Sequence, residues 1–531
     1  MIRRFIPAVL LLAVASLPAQ TPVPLYTNLG IHHRSIGTKV PAAQQYFDQG
    51  FRLVYGFNHA EAIRSFTRAA ELDPACAMCW WGIAYSYGPH VNAGMDSASG
   101  VLAYEAAQKA LSLSKGVPAW QRAYITALSA RYAPVPPANR ASLDSAYSRA
   151  MLAVAKNNPA DLDAVTLSAE SMMDLRPWNY WTPEGKAYPG SDEIVRKLES
   201  VIARNPNHPG ACHYYIHAVE AVKPELAVPC AERLAKLMPG EGHMVHMPAH
   251  IYVRVGRYAD AAMSNVHAIH TDETFLEGQK QPTLYSLGYY PHNIHFLAFV
   301  STLAGQSAQA IEAAKTLKSK VNMDVAKNEA MLQEMVPYYV LTLTTFGRWN
   351  DVLAEPLPPA DLRFPTAMAY YARGVAYAGK GDFANAKIAL DSVVAIDKAT
   401  PADAESKTPV SIAVHALMGE IATRSGDTNA GIAHFGEALK IEDAGLYFEP
   451  PKWYYPIRQS LGAALLKAGR NADAEKAYRD DLKHFPENGW SLYGLSAALK
   501  AQGKTAEAAA VDTRFAKAWA NADVKLMASR F

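Results

Sequence analysis

The sequence predicts an all-α solenoid, in which helix-turn-helix repeats stack into a superhelix. A glycine followed five residues later by an alanine recurs at Gly256, Gly381, Gly469 and Gly503, as expected for a repeated turn between closely packed helices. Half of the 531 residues are hydrophobic and 19% are charged, which suits a packed core and is too polar for a bundle of membrane helices. A repeat architecture uses such a length as one continuous body.

The first residues have the pattern of a secretory signal peptide, which we place at residues 1–19. Arg3 and Arg4 give a short basic start, and an apolar run from Phe5 to Leu17 follows. This run is too short to span a bilayer comfortably. The sequence therefore predicts export to the periplasm or the cell exterior, with no membrane span in the mature chain.

The chain after this segment divides into a lead-in and two groups of repeats. Residues 20–42 are rich in proline and glycine, are predicted to be extended, and carry His32 and His33. The repeats form an N-terminal part, residues 43–354, and a C-terminal part, residues 366–531, separated by a proline-rich stretch. The two lead-in histidines reach the repeat surface only if this segment folds back.

The repeats carry a family signature. The first-helix pattern W-x2-L-G-x2-Y is matched by Trp80, Ile83, Ala84 and Tyr87, and the second-helix pattern by Ala62, Phe66, Ala69 and Pro74. These residues resemble the tetratricopeptide repeat family, and the resemblance returns at Gly256-Arg257-Tyr258, Gly381-Asp382-Phe383, Gly426-Asp427, Gly469-Arg470 and Gly503-Lys504. It implies a concave groove lined by positions 2, 5, 9 and 12 of each first helix.

Seven of the 17 histidines lie in three clusters within residues 208–295. Counted in the repeat register, they fall at positions 2, 5 and 9 of three consecutive first helices, where fewer than one histidine is expected at nine positions by chance. Residues three and four apart share one helix face, so these side chains are predicted to converge in one groove. They are His213, His217, His243, His246, His250, His292 and His295.

The histidine cluster predicts a transition-metal site. Imidazoles one helical turn apart chelate an ion through their ring nitrogens, and such donors suit zinc, copper, iron or nickel. Two other interpretations remain open: a pH-sensitive polar groove for a peptide or anionic ligand, and structural packing. The remaining histidines of the repeats are interpreted as hydrogen-bonded packing residues.

Further residues are candidates for roles beside the metal. Glu220 shares a face with the first cluster and Glu170 precedes it by one repeat, so each is a candidate general base, and Glu220 is also a candidate ligand or orienting residue. Side chains that are candidates to position a ligand or substrate are Arg254, Tyr214, Tyr290 and Trp178.

Four cysteines in an exported chain favour disulfides over free thiols. Cys76 and Cys79 lie one helical turn apart, and Cys212 and Cys230 fall on the two helices of one repeat. We therefore expect these two pairs. A metal or redox site at the first pair is the alternative.

Two functions follow from the sequence. The first is an exported metal-binding protein, with zinc, copper or iron as cofactor, and possible hydrolytic or oxygen chemistry. The second is a scaffold that takes a protein or peptide partner in its groove. The net charge of +2, without a basic patch, predicts no nucleic-acid partner, and no nucleophile elbow, phosphate loop or dinucleotide fingerprint is present.

Overall fold

The computed structural model describes residues 23–277, 279 and 282–531, so the predicted signal peptide lies outside the described residues. Within these ranges the regular structure is helical, and the only β pairing is two isolated bridges, His90–Ala93 and Trp181–Ala187. The predicted all-α solenoid is confirmed. None of the described helices is both long and apolar enough to cross a membrane.

Consecutive helices pack in pairs along the whole solenoid. The first are α1 (Pro41–Tyr55), α2 (His59–Leu72), α3 (Ala77–Ser86), α4 (Ser97–Leu113), α5 (Ala119–Ser129), α6 (Ala141–Asn157), α7 (Leu162–Met173) and α8 (Ser191–Arg204). The middle repeats contain α9 (Pro209–Val219), a 3-10 helix (Pro224–Ala227), α10 (Val228–Leu237), α11 (Gly242–His246), α12 (Pro248–Arg254), α13 (Tyr258–Leu276), a π-helical turn (Tyr285–Tyr289), α14 (Tyr290–Leu303) and α15 (Ser307–Lys320).

The remaining helices complete the superhelix. They are α16 (Met323–Ala326), α17 (Ala330–Met335), α18 (Tyr338–Thr345), α19 (Trp349–Ala354), α20 (Arg363–Gly379), α21 (Phe383–Ala399), α22 (Lys407–Ser425), α23 (Thr428–Asp443), α24 (Ile457–Lys467), α25 (Asn471–His484), α26 (Gly489–Ala501) and α27 (Thr505–Ala518). One hydrophobic core extends from Leu29 to Phe485.

The small residues of the repeat signature let aromatic rings touch the backbone of the neighbouring helix. A Cβ atom added at Gly82 would lie 2.5 Å from Phe66, and one at Gly462 would lie 2.4 Å from Tyr478. These distances are far below van der Waals contact, so a larger residue at either position would push the two helices apart. The small residues of the signature therefore pack against aromatic rings in the same way in the first and the last repeats.

The lead-in segment folds back onto the repeats instead of projecting from them. Arg34 forms ion pairs with Asp161 and Asp163 at 2.7 Å each, at the start of α7. His33 pairs with Asp48 of α1 at 2.7 Å. Residues 23–40 contain no helix and are held to the first repeats by these charged contacts.

The superhelix curls until its last repeats pack against its middle ones. The Arg254 guanidinium donates to the His484 carbonyl at 2.7 Å, and the Trp490 indole donates to the Thr302 carbonyl at 2.9 Å. The sequence predicted a groove open to a ligand, but six of its seven histidines are buried and His292 is only partly exposed. The groove is closed because the C-terminal repeats and the long loops occupy it.

The four cysteines are in two different states. A disulfide joins Cys76 and Cys79. Cys212 and Cys230 are buried free thiols, and the Cys212 thiol donates to the Pro206 carbonyl at 3.5 Å, so the structure differs from the expected second disulfide.

Candidate metal centre

The first helices of three consecutive repeats bring the histidines together. Helices α11 and α12 follow one another at Met247, where Pro248 has no N–H to continue the hydrogen-bond ladder. Met247 keeps helical dihedrals, with φ −50° and ψ −34°. His246 and His250 therefore stay one turn apart on the same face despite the break.

Six of the seven histidines form two groups of three. The first triad is His213, His217 and His243, and the second triad is His246, His250 and His292. Within each triad, the candidate ligand nitrogens all lie within 4.8 Å of one another. Each triad combines two residues one helical turn apart with one residue from the next repeat.

The Nε2 atoms of the paired histidines face each other directly. The Nε2 atoms of His213 and His217 are 3.2 Å apart, and those of His246 and His250 are 2.8 Å apart. His292 Nε2 lies 3.1 Å from His246 Nε2. Each of these contacts is a hydrogen bond only if one of the two nitrogens carries a proton.

The partners of the Nδ1 atoms decide where the protons are. His213 Nδ1 lies 2.6 Å from the Tyr55 carbonyl oxygen, and His246 Nδ1 lies 2.7 Å from Asn265 Oδ1. The Asn265 amide nitrogen donates to the Ala261 carbonyl, which identifies its oxygen as the acceptor. Both imidazoles therefore carry their proton on Nδ1 and donate it.

Glu220 fixes the other two imidazoles in the same way. Its Oε1 accepts from His217 Nδ1 at 3.0 Å, and its Oε2 accepts from His250 Nδ1 at 2.6 Å. Burial alone raises the pKa of this carboxyl, but His250 and His217 outweigh it and hold the pKa at about 2. Glu220 is thus an ionised acceptor that joins the two triads.

The four paired imidazoles present bare Nε2 lone pairs to one another. Burial lowers the pKa of His213, His217 and His246 below the usual value, so a second proton on these rings is disfavoured. Two lone pairs at 2.8 to 3.2 Å repel unless something positive lies between them. His243 adds a buried ring with neither nitrogen hydrogen-bonded.

Trp178, one of the predicted ligand-positioning residues, covers the junction of the two triads. Its ring centroid lies 5.0 Å from that of His217 and 6.4 Å from that of His250. The indole N–H donates to Asn92 Oδ1 at 3.1 Å, which anchors the loop. Trp178 therefore separates the centre from solvent on that side.

Arg254 and Tyr290 make their hydrogen bonds outside the triads, whereas the Tyr214 ring packs 5.5 Å from that of His213. Arg254 bonds to carbonyl oxygens, including that of His484, and thereby joins the middle and last repeats. Tyr290 donates to Glu273 at 2.9 Å. Tyr214 is buried against Tyr55. These three contacts are those of packing residues.

Glu170 belongs to a separate buried polar cluster. Burial raises its pKa well above the usual value, and the neighbouring Asp174 adds to the shift. Asp174 pairs with the fully buried Arg131. The structure therefore places Glu170 beside an internal ion pair, without a hydrogen bond to any triad histidine.

A third group of ligating side chains consists of His32, Asp163 and His208. His208 Nδ1 accepts the Ala211 N–H as the cap of α9, so its Nε2 carries the proton and donates to Asp163. Asp163 also accepts from Tyr55 at 2.7 Å. These partners satisfy the group by hydrogen bonds, as expected for packing histidines, and leave His208 Nε2 without a lone pair for a metal.

His295 lies outside both triads. Its ring packs edge-on against Tyr338 at 4.1 Å, and its buried Nε2 has no hydrogen-bond partner. Burial lowers its pKa to about 3. It occupies a groove position in the register, but the neighbouring helix α18 offers an aromatic ring where a triad would need another imidazole.

We expect a His295→Phe variant to reduce the acid sensitivity of the metal-free protein. The unfolded chain binds a proton at this residue below about pH 6.5, and the folded chain does not until about pH 3, so the native histidine costs stability as pH falls. At pH 5 the difference is about 2 kcal/mol. Urea unfolding of both proteins at pH 8 and pH 5 measures it, and parallel pH profiles would contradict the assignment.

Sequence reasoning missed the groups that orient the triads. The Tyr55 carbonyl belongs to a helix more than 150 residues before His213, and Asn265 lies on the second helix of its repeat. Phe57 and Phe296, which pack on the triads, were also missed. The general expectation was that a metal-binding histidine donates its second ring nitrogen to an oxygen acceptor, and Asn265 supplies one.

Comparison with known proteins identifies one repeat of the chain. Residues 367–400 match the family described as tetratricopeptide repeat. The matched residues lie in α20 and α21, outside the two triads. No curated protein matches the sequence at a significant level.

Solved structures resemble the chain only loosely. A human IFIT1 dimer with m7Gppp-AAAA has a TM-score of 0.34 at 14% identity, and the alignment covers 92% of each chain. A human IFIT1 dimer with PPP-AAAA has a TM-score of 0.33 at 13% identity over 88% of each chain. At this level the likeness says nothing about a ligand of the present chain.

Proposed function

We propose that the protein is a metalloprotein that binds two transition-metal ions, one at each histidine triad. The observation that carries the proposal is the pairing of bare Nε2 atoms at 3.2 Å and 2.8 Å. Each of these nitrogens belongs to an imidazole that carries its proton on Nδ1, at the opposite side of the ring, and donates it to another group. A cation between them turns a repulsive contact into a favourable one.

The distances support the same conclusion. Two nitrogens bound to one ion at about 2.0–2.1 Å lie about 3 to 3.4 Å apart at ordinary coordination angles. The contacts within the second triad, at 2.8 and 3.1 Å, and the contact in the first, at 3.2 Å, lie close to this range. The helical spacing therefore places the ligand nitrogens close to the distances that a bound ion needs, and the side chains need not move far.

The surroundings of the triads are typical of a metal site. Histidine ligands generally donate their second ring nitrogen to a carboxylate or carbonyl, which fixes the tautomer and raises the basicity of the ligand nitrogen. Tyr55, Asn265 and Glu220 supply these acceptors for four of the six histidines. Buried packing histidines are hydrogen-bonded as well; what distinguishes these four is that their Nε2 atoms then face one another without a proton between them.

The alternative function, a scaffold with a partner peptide in the groove, requires access to the concave face. His213 and His246 are fully buried and His217 is 3% exposed, and the last repeats pack across the middle ones. The closed groove therefore favours the metal function. Export of the chain, as the signal pattern predicts, would mean that the ions are acquired in or beyond the periplasm.

Elemental analysis of the purified full-length protein tests the proposal. After reconstitution with zinc, copper or iron and removal of loosely bound metal, the wild type should retain two ions per chain. A His213→Ala, His246→Ala double variant should retain none, and His295→Phe should behave as the wild type because its ring lies outside the triads. A wild type that retains none of the three metals would overturn the proposal.

A further inference from the structure

Each triad is packed against one phenylalanine ring that contacts all three imidazoles. The Phe57 centroid lies 4.5, 6.0 and 5.6 Å from those of His213, His217 and His243. The Phe296 centroid lies 5.0, 5.0 and 5.9 Å from those of His246, His250 and His292. Each site therefore has three imidazoles and one phenylalanine ring that contacts all of them, and Tyr289 adds a second ring at the first triad, 4.5 Å from that of His243.

Both rings are firmly held. Phe57 is 2% exposed and has a left-handed backbone with φ 59°, a conformation that a bulky residue adopts only when its surroundings over-determine it. Phe296 is fully buried in α14. The positions of the two aromatic rings are thus built into the fold at some cost in backbone strain at Phe57.

The phenylalanine rings restrict the coordination number of a bound ion. Zinc in proteins is almost always four-coordinate, and at a site with three protein ligands water fills the fourth position. Among the described His, Cys, Asp and Glu side chains, each triad consists of imidazoles alone, and an apolar ring packs on all three imidazoles of each. Three neutral imidazoles without a fourth ligand suit a monovalent d10 ion, and imidazole is a good ligand for copper.

The charge around the triads also favours monovalent ions. In the described part of the chain, Glu220 is the carboxylate that hydrogen-bonds to triad imidazoles. Two divalent ions would bring four positive charges into this buried site, and two monovalent ions bring two. The buried carboxyl of Glu449 also interacts electrostatically with His250. Because uncompensated charge is costly in an apolar interior, two monovalent ions still need less compensation than two divalent ions.

We propose that the two triads hold a pair of copper ions in the cuprous state, each bound by three imidazole nitrogens and packed against Phe57 or Phe296. The proposal rests on the proposed metal function and names the ion. Glu220 lies between the two sites and holds one ligand of each in the binding tautomer. The two sites are therefore linked through one carboxylate.

Anaerobic metal competition on the full-length protein tests the identity of the ion. Metal-free protein is given the acetonitrile complex of Cu(I), zinc sulfate, or both, and the ions retained after desalting are counted. We expect two copper ions per chain, retained when zinc is in excess, with an X-ray absorption edge of three-coordinate Cu(I). Retention of zinc in place of copper would overturn the copper proposal and leave the metal function standing, whereas retention of neither metal would overturn both.

A pair of phenylalanine variants tests the role of the rings. Phe296→Ala opens space for a water ligand at the second triad, and we expect it to raise zinc affinity there by about tenfold or more, the scale of changes beside metal ligands. Phe299→Ala is the matched control, since Phe299 lies one turn further along α14 and packs on Phe485. An unchanged metal preference in Phe296→Ala, with two copper ions still bound, would contradict the role assigned to the ring.

Discussion

A His213→Ala variant is expected to bind one metal ion where the wild type binds two. The substitution removes one of three ligands from the first triad and leaves the second intact. Apparent binding free energies of structural metal sites are about 10–16 kcal/mol, so one ligand of three or four contributes enough to weaken binding on the order of 100-fold. Titration followed by elemental analysis measures the stoichiometry.

The matching variant of the second triad is His292→Ala, which should also leave one ion per chain. His292 comes from α14 and is the residue that the neighbouring repeat contributes to that triad. Thermal unfolding should show that metal stabilises both variants less than the wild type, because an ion that binds only the folded state raises its stability. Loss of both ions in either single variant would mean that the triads are not separate sites.

A Glu220→Gln variant is expected to weaken one of the two sites by about 10- to 100-fold, the usual effect of removing an orienting partner. The carboxylate accepts hydrogen bonds from the Nδ1–H groups of His217 and His250 at the same time. An amide has one oxygen, so it accepts from one imidazole and turns its N–H groups toward the other. That imidazole must then move its own proton to Nε2, where it blocks metal binding.

Glu170→Gln is the control for this variant. Glu170 is a buried carboxyl with a raised pKa in the same part of the solenoid, so the amide resembles its protonated form. It makes no hydrogen bond to a triad histidine, and both ions should remain. Equal metal affinity in Glu220→Gln and the wild type would show that the bridging carboxylate does not set the tautomers.

The repeat register predicted most of the candidate centre. Spacing of four residues placed His213 beside His217 and His246 beside His250, because residues one turn apart on a helix share a face. The sequence did not show which single histidine joins each pair, since this depends on the offset between adjacent repeats. His295 illustrates the limit: its register position equals that of a ligand, yet α18 presents Tyr338 to it.

The sequence did not predict that the last repeats of the solenoid pack against the middle ones. Arg254 and His484 are 230 residues apart, and no local pattern announces a contact of that range. The curvature of a superhelix accumulates from small rotations at every repeat, so slight differences in packing decide whether the ends meet the middle. The open groove expected from the family resemblance is therefore a buried centre in this chain.

The most direct test is to locate the ions by anomalous X-ray diffraction from crystals of the metal-reconstituted protein. We predict two anomalous peaks per chain, one surrounded by ring nitrogens of His213, His217 and His243, the other by those of His246, His250 and His292. Each peak should lie about 2 Å from its three nitrogens. A single peak at His32, Asp163 and His208, or no peak within either triad, would contradict the account.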